Sequence, residues 1–437
     1  MKNKFNGKKV LVYGLGRSGF SSCKLLHKMG ACVSTYDDEC KNISDSFSFV
    51  KEPLKRQFDF VVVSPGVKVL GNKILDEFKL RKVKILSELD LGYMFCKGKI
   101  VAVTGTNGKT TTCMLLGQIL AKKYNDVVVC GNIGLPLTSI CETTTKDSVT
   151  VVEVSSFQLE LSKKFHADIR VLLNITTDHI DRHGSFEEYK NTKLKLFANK
   201  RLKDKNIINF DDDIAKTALE KDKKIWTSKL PIKNAVCVKN HNICYKNKEI
   251  LNVDDISLLG DKNLENVLCA VAVAKVMKVK NADIRDAVSN FRPAGHRMEE
   301  VGIISGARFI DDSKATNISS TQNALSAVDV KNTILFLGGQ SKGYTFSILL
   351  EKCHDIKCIF AFGECGKEIY EDCKRLKVPA MLFDTMKEAS MYARSVAMAG
   401  EIYLLSPACA SFDEFSSYAE RGDVFKEIVL GDGYEAK

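Results

Sequence analysis

Apolar runs that predict buried strands alternate along the chain with segments whose apolar residues are spaced as on one face of a helix. The run at 99–103 is followed by a polar turn and then by residues 113–122, whose apolar spacing predicts a helix. Strands that alternate with helices in this way form parallel sheets, because the chain must cross over the sheet between parallel strands. We therefore predict an α/β fold.

This alternation forms three successive blocks, and the chain of 437 residues is longer than a single hydrophobic core usually supports. The first block has strand-like runs at 8–13, 32–36 and 60–63 and ends near 91–97. The third block follows Phe291-Arg-Pro-Ala-Gly295, where Pro and Gly indicate a hinge. The pattern thus predicts three domains.

The turn between the first strand and helix of the second block is Thr104-Gly-Thr-Asn-Gly-Lys-Thr-Thr-Thr112. Backbone N–H groups at the start of a helix favour phosphate, Lys109 would neutralise β- and γ-phosphate charge, and Thr110 could ligate Mg²⁺. The general P-loop pattern requires Gly where this chain has Val103, so the fit is to a shorter form. We predict that this loop binds ATP and supports its cleavage.

Glu153 lies in a Val-rich strand-like run, 44 residues after Lys109. A carboxylate at the end of a strand beside a phosphate loop commonly holds the Mg²⁺ of the nucleotide. A buried salt bridge is the alternative, but a charge in such a strand is costly unless it is paired or bound to metal. We favour the metal.

A second polar cluster, Thr176-Thr-Asp-His-Ile-Asp-Arg-His183, follows the next buried run. His179, with Asp178 beside it, is predicted to bind metal or phosphate, whereas His183 is predicted to lie at the surface. Lys193 sits in a Lys-rich helical segment, and its spacing alone predicts an exposed lysine.

The first block contains Gly14-Leu-Gly-Arg-Ser-Gly19, and an acidic residue, Asp37, lies 18 positions after the last Gly. Taken alone, this combination is typical of a dinucleotide-binding turn. In the third block, His296 and Arg297 lie at the hinge, and the polar segment at 309–317 follows a strand. That density of charge at a strand end favours a binding site over a solvated loop.

Composition narrows the class of protein. Lys and Arg exceed Asp and Glu by 11, but no Arg-rich stripe appears, so we expect small anionic substrates and no nucleic acid. Fifteen cysteines without a Cys-x-x-Cys motif indicate a reduced, cytoplasmic protein that uses cysteine as a small apolar residue. No apolar run reaches the length of a membrane-spanning helix, so we expect no membrane partner.

Together these motifs resemble the ATP-dependent Mur ligases, in order and over essentially the whole chain. The matching segments are TGTNGKTTT, EVSSFQLE, NITTDHIDRHGS, the pair Tyr189 and Lys193, GHRME, DDSKATN, LGG-x-x-K and LLSPACASFDEF. The last four resemble most the members that add D-glutamate.

The resemblance implies a Rossmann-like domain at 1–93, a central ATP-binding domain with a P-loop-type turn and a parallel sheet at 94–294, and a second Rossmann-like domain at 295–437. It implies that the first glycine-rich turn holds the diphosphate of UDP, not NAD. The implied substrates are ATP, UDP-N-acetylmuramoyl-L-alanine and D-glutamate, joined in peptidoglycan precursor synthesis through an acyl phosphate and a tetrahedral adduct. The chain is expected to act as a monomer.

The resemblance also assigns residues. The residues that would be catalytic are Lys109, Glu153, His179 and Lys193. Two Mg²⁺ ions would be held by Thr110, Glu153, His179 and Lys193, the last as a carbamate formed with CO₂. The implied ATP contacts are Gly105, Thr106, Asn107, Gly108, Lys109, Thr110, Thr111, Asn263, Arg297 and Asp312, with Lys314 as a further candidate. The implied contacts of the UDP substrate are Gly14, Leu15, Gly16, Arg17, Asp37, Ser64, Gly66, Asn132, Ser155 and Asp178. The implied D-glutamate contacts are Thr316, Lys342, Ser411 and Tyr418.

Two alternatives stay open. A related ligase of the same family could use another acceptor, and the segments at 312–316 and 406–411 argue for D-glutamate instead. A nucleotide-binding regulator that senses UDP-sugars without catalysis is the other alternative, but it would not need Glu153, His179 and Lys193 together.

Overall fold

The computed structural model describes residues 4–39, 47–219, 223–258, 260–292, 295–340 and 345–431. Contacts divide the chain into two compact units, Met1–Ser257 with Leu264–Phe291, and Leu258–Asn263 with Arg292–Lys437. The predicted α/β fold is confirmed, since three sheets made largely of parallel strands alternate with helices. The first unit holds two of the sheets and the second holds one. The domain boundaries after residues 93 and 294 stay a prediction.

The first sheet contains only parallel strands in the order β3-β2-β1-β4-β5. Its elements are β1 Lys9–Tyr13, α1 Arg17–Lys28, β2 Cys32–Tyr36, β3 Ser48–Phe49, β4 Phe60–Val63, α2 Lys73–Leu80, β5 Lys84–Ser87 and α3 Glu88–Tyr93. The central strand β1 is flanked by β2 on one side and by β4 on the other. The chain therefore reverses its direction across the sheet at β1, and ligands of open α/β sheets bind at such a point.

The second sheet is larger, in the order β14-β13-β12-β11-β10-β9-β6-β8-β7. Its elements are β6 Lys99–Thr104, α4 Lys109–Ala121, β7 Val127–Gly131, α5 Leu137–Ile140, β8 Val149–Glu153, α6 Ser156–Leu159, β9 Ile169–Leu172, α7 Ile180–His183, α8 Phe186–Leu194, β10 Lys205–Asn209, α9 Asp213–Ala218, β11 Lys224–Ser228, β12 Ala235–Lys239, β13 Asn242–Tyr245, β14 Lys248–Asn252, α10 Asp261–Val276 and α11 Asn281–Ser289. Strand β6 pairs with β8 and β9, so the loops after these three strands meet at one edge.

Three strands at the end of this sheet were not predicted. β12, β13 and β14 are antiparallel and are joined by the two-residue turns 240–241 and 246–247. All four turn residues have positive φ, from 47° to 60°, as in the type I′ turns of hairpins. These three strands were not predicted because the turns that join them, Asn-His and Lys-Asn, contain no glycine, which is the usual signal of a hairpin.

The third sheet has the order β15-β16-β20-β17-β18-β19. Its elements are β15 Glu299–Ile304, β16 Ala307–Asp311, α12 Ile318–Leu325, β17 Thr333–Gly338, α13 Ser347–Leu350, β18 Cys358–Phe362, α14 Gly366–Leu376, β19 Ala380–Leu382, α15 Met386–Val396, β20 Ile402–Ala408 and α16 Tyr418–Leu430. The sequence predicts strands in the third block at 307–312, 332–338, 358–362 and 401–405, and these correspond to β16, β17, β18 and β20. Only β15 is antiparallel, in a hairpin with β16. Strand β17 is buried along its whole length, as expected for a parallel strand covered on both faces.

Among the described residues, no helix combines the length and apolar character needed to cross a bilayer. The cysteines described are free thiols, and most of them are buried.

A buried charged network joins β9 to the turn that precedes β10. Asp204 accepts hydrogen bonds from the His166 ring at 3.0 Å and lies 3.2 Å from the Arg170 guanidinium. All three side chains are almost completely buried. Two buried charges that compensate each other become costly when one of them is removed.

We expect Asp204→Asn to lower the free energy of unfolding by about 3–5 kcal/mol, because it leaves the Arg170 charge without its partner. Urea unfolding followed by the fluorescence of Trp226 measures this, since the only tryptophan of the chain lies on β11 of the same sheet. Asp76→Asn removes an exposed ion pair with Lys79 and should cost less than about 1 kcal/mol. Equal effects of the two substitutions would contradict the stabilising role of the buried network.

Candidate active site

The loop between β6 and α4 has a conformation that requires glycine at one position. Gly108, directly before α4, has a φ of +83°, which side chains rarely allow. A Cβ atom there would lie 2.1 Å from Oδ1 of Asn266, so no other residue fits without displacing that side chain. The loop passes directly into a helix of 13 residues, whose first N–H groups are available to an anion.

Side chains from two other segments hold this loop in place. Oδ1 of Asn174 accepts hydrogen bonds from the backbone N–H groups of Thr106, at 3.1 Å, and Asn107, at 2.8 Å. The Thr106 hydroxyl lies 3.0 Å from the hydroxyl of Tyr189 on α8. The loop is thus preorganised. The role of Asn174 was missed, because nothing in the sequence distinguishes this asparagine from a strand-end residue.

Two lysines converge on the same loop. Nζ of Lys109 donates to the carbonyl oxygens of Gly105 and Thr106, at 2.9 and 2.8 Å. Nζ of Lys193, which lies on α8, donates to the same Gly105 oxygen at 2.7 Å. Two amines at one carbonyl form a concentrated positive region.

The exposure predicted for Lys193 from its spacing is wrong. Its side chain is 2% exposed and lies over the ring of Tyr189. Burial, reinforced by the nearby Lys109 charge, holds the pKa of Lys193 well below its ordinary value, and the carboxylates of Asp178 and Glu153 oppose this only in part. The spacing of apolar residues predicted exposure for Lys193 because α8 packs its polar face, and not an apolar one, against the polar nucleotide loop.

Glu153, at the end of β8, lies at the centre of a group of polar side chains. One carboxylate oxygen accepts from the hydroxyl of Thr110 at 2.9 Å, and the other accepts from the amide of Asn132 at 2.7 Å. Glu153 is 2% exposed, and no cation lies at ion-pair distance from it in the described parts of the chain. A buried carboxylate that contacts only neutral groups retains acceptor capacity for a cation.

His179 takes a left-handed conformation, with φ of 52°, at the start of α7. Its ring lies 3.5 Å from the Asp178 carboxylate and 4.7 Å, centroid to centroid, from Phe157. Residues other than glycine adopt this conformation uncommonly and mostly in turns, and here it occurs where the chain enters α7. The side chain is partly exposed, so the ring is accessible to a ligand.

The prediction that His183 lies at the surface is wrong. His183 is 8% exposed and its ring nitrogen lies 3.1 Å from the hydroxyl of Ser156. The reason is local, because α7 is a single turn that lies between α6 and α8, and the ring packs edge-on against Tyr189. Burial lowers the pKa of this imidazole.

Several residues expected to contact the UDP substrate lie at the ends of β1, β2 and β4. The Asp37 carboxylate accepts from the backbone N–H of Leu15 at 2.7 Å, and the Ser64 hydroxyl donates to the Gly14 oxygen at 2.7 Å. Arg17, the first residue of α1, donates to the carbonyl of Gly134. Gly16 caps this helix, Gly66 follows Ser64 in the adjoining loop, and Ser155 caps α6.

An arginine that the sequence analysis did not single out connects the two sheets of the first unit. The Arg182 guanidinium donates to the backbone oxygens of Pro65, at 2.7 Å, and Val67, at 2.8 Å. It also forms an ion pair of 2.6 Å with Glu160. Arg182 thus fixes the loop after β4 to the segment that carries His179.

In the second unit, Asp312 directly follows β16 and is buried. Its carboxylate accepts a hydrogen bond from the Ser406 hydroxyl at 2.8 Å. Burial raises the pKa of Asp312 to about 7, although the hydrogen bond from Ser406 and the charge of Arg297 oppose the shift. Arg297 and Asp312 are therefore near each other, as the expected ATP contacts require.

The other residues of this unit that are expected to contact substrates lie on different elements and differ in burial. Tyr418 begins α16, and its ring lies 3.7 Å from Nζ of Lys314. Ser411 is buried, three residues after the end of β20, and Thr316 is half-buried in the loop after β16. Asn263 lies in the first turns of α10. Lys342 lies outside the described residues.

A buried arginine, also missed, links the loops that carry these residues. Arg421 on α16 donates to the carbonyls of Cys409 and Ala410, at 3.1 and 3.2 Å, and to the carbonyl of Ser313 at 2.9 Å. Ala408, which directly precedes Cys409, has a φ of +59°, a strained conformation for a residue with a Cβ atom. Arg421 thus fixes the loops after β16 and β20.

His296, Glu299 and Asp311 form the one cluster in the described part of the chain with atoms spaced closely enough for a metal. However, Nζ of Lys426 already lies 2.7 Å from Glu299 and 3.8 Å from Asp311. The His296 ring lies 2.7 Å from Asp311. The ammonium group of Lys426 compensates these carboxylates, so the cluster forms an ion-pair network.

Models of two known protein domains match parts of this chain. Residues 103–274 match the model of the Mur ligase middle domain, and residues 296–409 match that of the Mur ligase, glutamate ligase domain. The UDP-N-acetylmuramoylalanine–D-glutamate ligase of Caldicellulosiruptor bescii is 38% identical, with 97% of each chain covered. The enzyme of the same name from Koribacter versatilis is 36% identical, again with 97% of each chain covered.

Solved structures share the fold. A pseudomurein peptide ligase type C from Methanothermus fervidus is 19% identical and has a TM-score of 0.61, with 97% of this chain and 100% of that chain covered. MurF ligase from Thermotoga maritima, in complex with ADP, is 16% identical with a TM-score of 0.60, covering 98% and 96%. At these identities the likeness concerns the fold.

The titration of Asp312 gives a prediction of pH dependence. Its pKa is about 7 when folded and near 3.8 when exposed, so unfolding releases a proton between these values. The free energy of unfolding of the second unit therefore contains a contribution that is present below about pH 4 and is lost as the pH rises to about 7.

Asp312→Asn removes this titration, so its stability should fall less than that of the unchanged chain between pH 4.5 and 7. Urea unfolding followed by circular dichroism measures the difference, and Asp355→Asn, at an exposed position of the same unit, is the control. Parallel stability curves for the unchanged chain and Asp312→Asn would show that Asp312 is ionised in the folded state.

Proposed function

This chain belongs to the Mur ligase family, and from that premise we propose that it joins D-glutamate to UDP-N-acetylmuramoyl-L-alanine with consumption of ATP. Relatives named for this reaction are 34–38% identical over 97% of the chain. The observation that carries the proposal is the group around Glu153, in which this carboxylate contacts Thr110 of the nucleotide loop and Asn132. A residue expected to contact ATP and one expected to contact the UDP substrate thus share one carboxylate.

The first step phosphorylates the substrate carboxylate. A carboxylate is a poor electrophile, and transfer of the γ-phosphoryl group supplies it with a leaving group. Catalysis of this step depends on positioning two anions together and on neutralising their charge. The amine of Lys109, together with the N–H groups at the start of α4, would provide part of that neutralisation.

The donor set fits Mg²⁺. Thr110 and Glu153 offer a hydroxyl and a carboxylate, which are the oxygen ligands that Mg²⁺ prefers. His179, half exposed beside Asp178, would serve a second ion. When bound, the ions neutralise phosphate charge and orient the phosphoryl group.

We propose that Lys193 carries a carbamate. Burial lowers the pKa of the Lys193 amine and so favours its neutral form, and only the neutral amine adds to CO₂. Addition converts a group that competes with the cations for this site into an anion that can hold them. The carbamate nitrogen keeps one N–H, which could still donate to the Gly105 carbonyl that accepts from the unmodified amine.

In the second step the amine of D-glutamate attacks the acyl phosphate, forms a tetrahedral adduct and expels phosphate. The residues that we propose for the acceptor are Thr316, Ser411, Tyr418 and Lys342. Thr316 and Ser411 follow strands of the third sheet, and Tyr418 begins α16. ATP would be contacted in this unit by Arg297, Asp312 and Asn263. Three domains with boundaries after residues 93 and 294 would divide these tasks, and a monomer suffices because one chain supplies every group. Dependence on ATP and a UDP-sugar suits the cytoplasm.

The direct test is phosphate release from ATP in the presence of UDP-N-acetylmuramoyl-L-alanine, with D-glutamate, L-glutamate, L-lysine, diaminopimelate or D-alanyl-D-alanine offered separately. We expect release with D-glutamate alone. Release with another acceptor would move the chain to a related ligase of the family. The absence of release with all five would favour a sensor of UDP-sugars.

Replacement of Lys193 tests the carbamate. We expect Lys193→Ala to lower kcat by about a hundredfold or more, because it removes a charged group at the reacting phosphate. Acetate or propionate should restore part of the activity by supplying the missing carboxylate. Lys190→Ala, which removes a lysine of the same helix paired with Glu187 at the surface, is the matched control and should have little effect. Full activity of Lys193→Ala, unchanged by either acid, would refute the carbamate.

A further inference from the structure

Two cysteine thiols touch each other in the second unit. Sγ of Cys365, directly before α14, lies 3.3 Å from Sγ of Cys409, directly after β20. In the part of the chain that the structure describes, no other two thiols form a hydrogen bond with each other. A disulfide bond has a length of about 2.05 Å, so an approach of little more than about 1 Å would join the two sulfur atoms.

The surroundings of the two thiols differ. The Cys365 thiol donates a hydrogen bond to the Gly339 carbonyl at 2.9 Å. The buried guanidinium of Arg421 donates a hydrogen bond to the backbone carbonyl of Cys409 at 3.1 Å, and no carboxylate of the described residues lies at ion-pair distance from it. Of the acidic groups near Arg421, the Cys409 thiol has the largest effect in raising its pKa, which burial lowers to about 10. The guanidinium charge therefore lies close to the Cys409 sulfur, and reactive cysteines commonly lie beside such a cation.

We propose that Cys365 and Cys409 form a reversible disulfide on exposure to peroxide, and that this bond weakens the binding of D-glutamate. The second half of this proposal rests on the proposed function. The two cysteines lie in the loops that follow β18 and β20, and Ser411, an expected contact of D-glutamate, is two residues after Cys409.

The chemistry balances with hydrogen peroxide as the oxidant. The Cys409 thiolate attacks one peroxide oxygen, the O–O bond breaks, and sulfenic acid and hydroxide form. The Cys365 thiolate then attacks the sulfur of the sulfenic acid, the S–S bond forms, and a second hydroxide leaves. With the two thiol protons, both hydroxides become water. The two cysteines lose two electrons in total, and the peroxide gains them.

Burial determines which reagents react. Cys365 is 3% exposed and Cys409 is not exposed, so a bulky alkylating agent is excluded while peroxide, hardly larger than water, is not. Cys32, an exposed cysteine of the first unit, serves as the internal reference for a thiol with free access.

The bond would move the loop that binds the acceptor. The shift of the sulfur atoms breaks the hydrogen bond from Cys365 to Gly339 and pulls on a segment that already has a strained residue, Ala408. Arg421 holds the backbone of Cys409 and Ala410, so the displacement cannot be absorbed there without loss of its hydrogen bonds. Misplacement by about 1 Å is enough to cost an enzyme one to two orders of magnitude in rate.

The first measurement is independent of activity. The folded chain is treated with hydrogen peroxide, remaining thiols are blocked with N-ethylmaleimide after denaturation, and peptides are analysed by mass spectrometry without reduction. We expect a linked pair of peptides containing Cys365 and Cys409, which disappears after dithiothreitol. The absence of that pair, under conditions that oxidise Cys32, would overturn the proposal.

The second measurement is kinetic. The KM for D-glutamate should rise at least about tenfold after peroxide and return after dithiothreitol, while Cys365→Ala should show no loss that dithiothreitol reverses. Cys353→Ala, which removes another buried thiol of the same unit, should respond as the unchanged chain does. A linked pair without any change in KM would overturn the effect on D-glutamate and leave the disulfide itself established. Lack of activity before oxidation would instead count against the proposed function, since the peptide measurement stands without it.

Discussion

The carbonyl oxygen of Gly105 accepts hydrogen bonds from two lysine ammonium groups, and the chain around it is arranged to make that possible. A buried charge is costly unless neighbouring groups compensate it, so the carboxylates of Glu153 and Asp178 must lie close by. This places β6, β8 and the end of β9 side by side, as the sheet order has them. It also requires α8 to pack against the loop through Tyr189 and Lys193. The like charge of the two amines is relieved when phosphate binds beside them or when Lys193 becomes a carbamate.

The second unit also contains a buried positive charge, the guanidinium of Arg421. Arg421 is buried, and its donors are taken up by backbone carbonyls of the loops after β16 and β20. Carbonyl groups carry only partial charge, so the compensation is spread over several residues. Binding residues on these loops therefore depend on a side chain that need not contact any ligand, and a survey restricted to pocket-lining residues would overlook it.

The fold could be predicted from the sequence where periodicity was strong. Strands β6, β16, β17 and β18 agree with the predicted runs within a residue or two, because continuous apolar runs in parallel sheets have few other interpretations. The hairpins β12–β14 could not be predicted, since their turns lack glycine. The burial of Lys193 and His183 could not be derived from spacing either. Both side chains face polar elements of the site, and a pattern of apolar positions cannot distinguish such a face from one exposed to solvent.

The antiparallel strands β12–β14 have a consequence for how this sheet ends. In the sheet order, β14 is the outermost strand, and five strands separate it from β6, which leads into the nucleotide loop. Its first residues, Lys248 and Glu249, are exposed and charged, which discourages pairing with a strand of another chain. A hairpin at an edge can also gain or lose residues at its turns without altering the register of the inner parallel strands. Insertions and deletions are thus tolerated at the turns of the edge hairpins β12–β14, whereas the inner parallel strands keep their register.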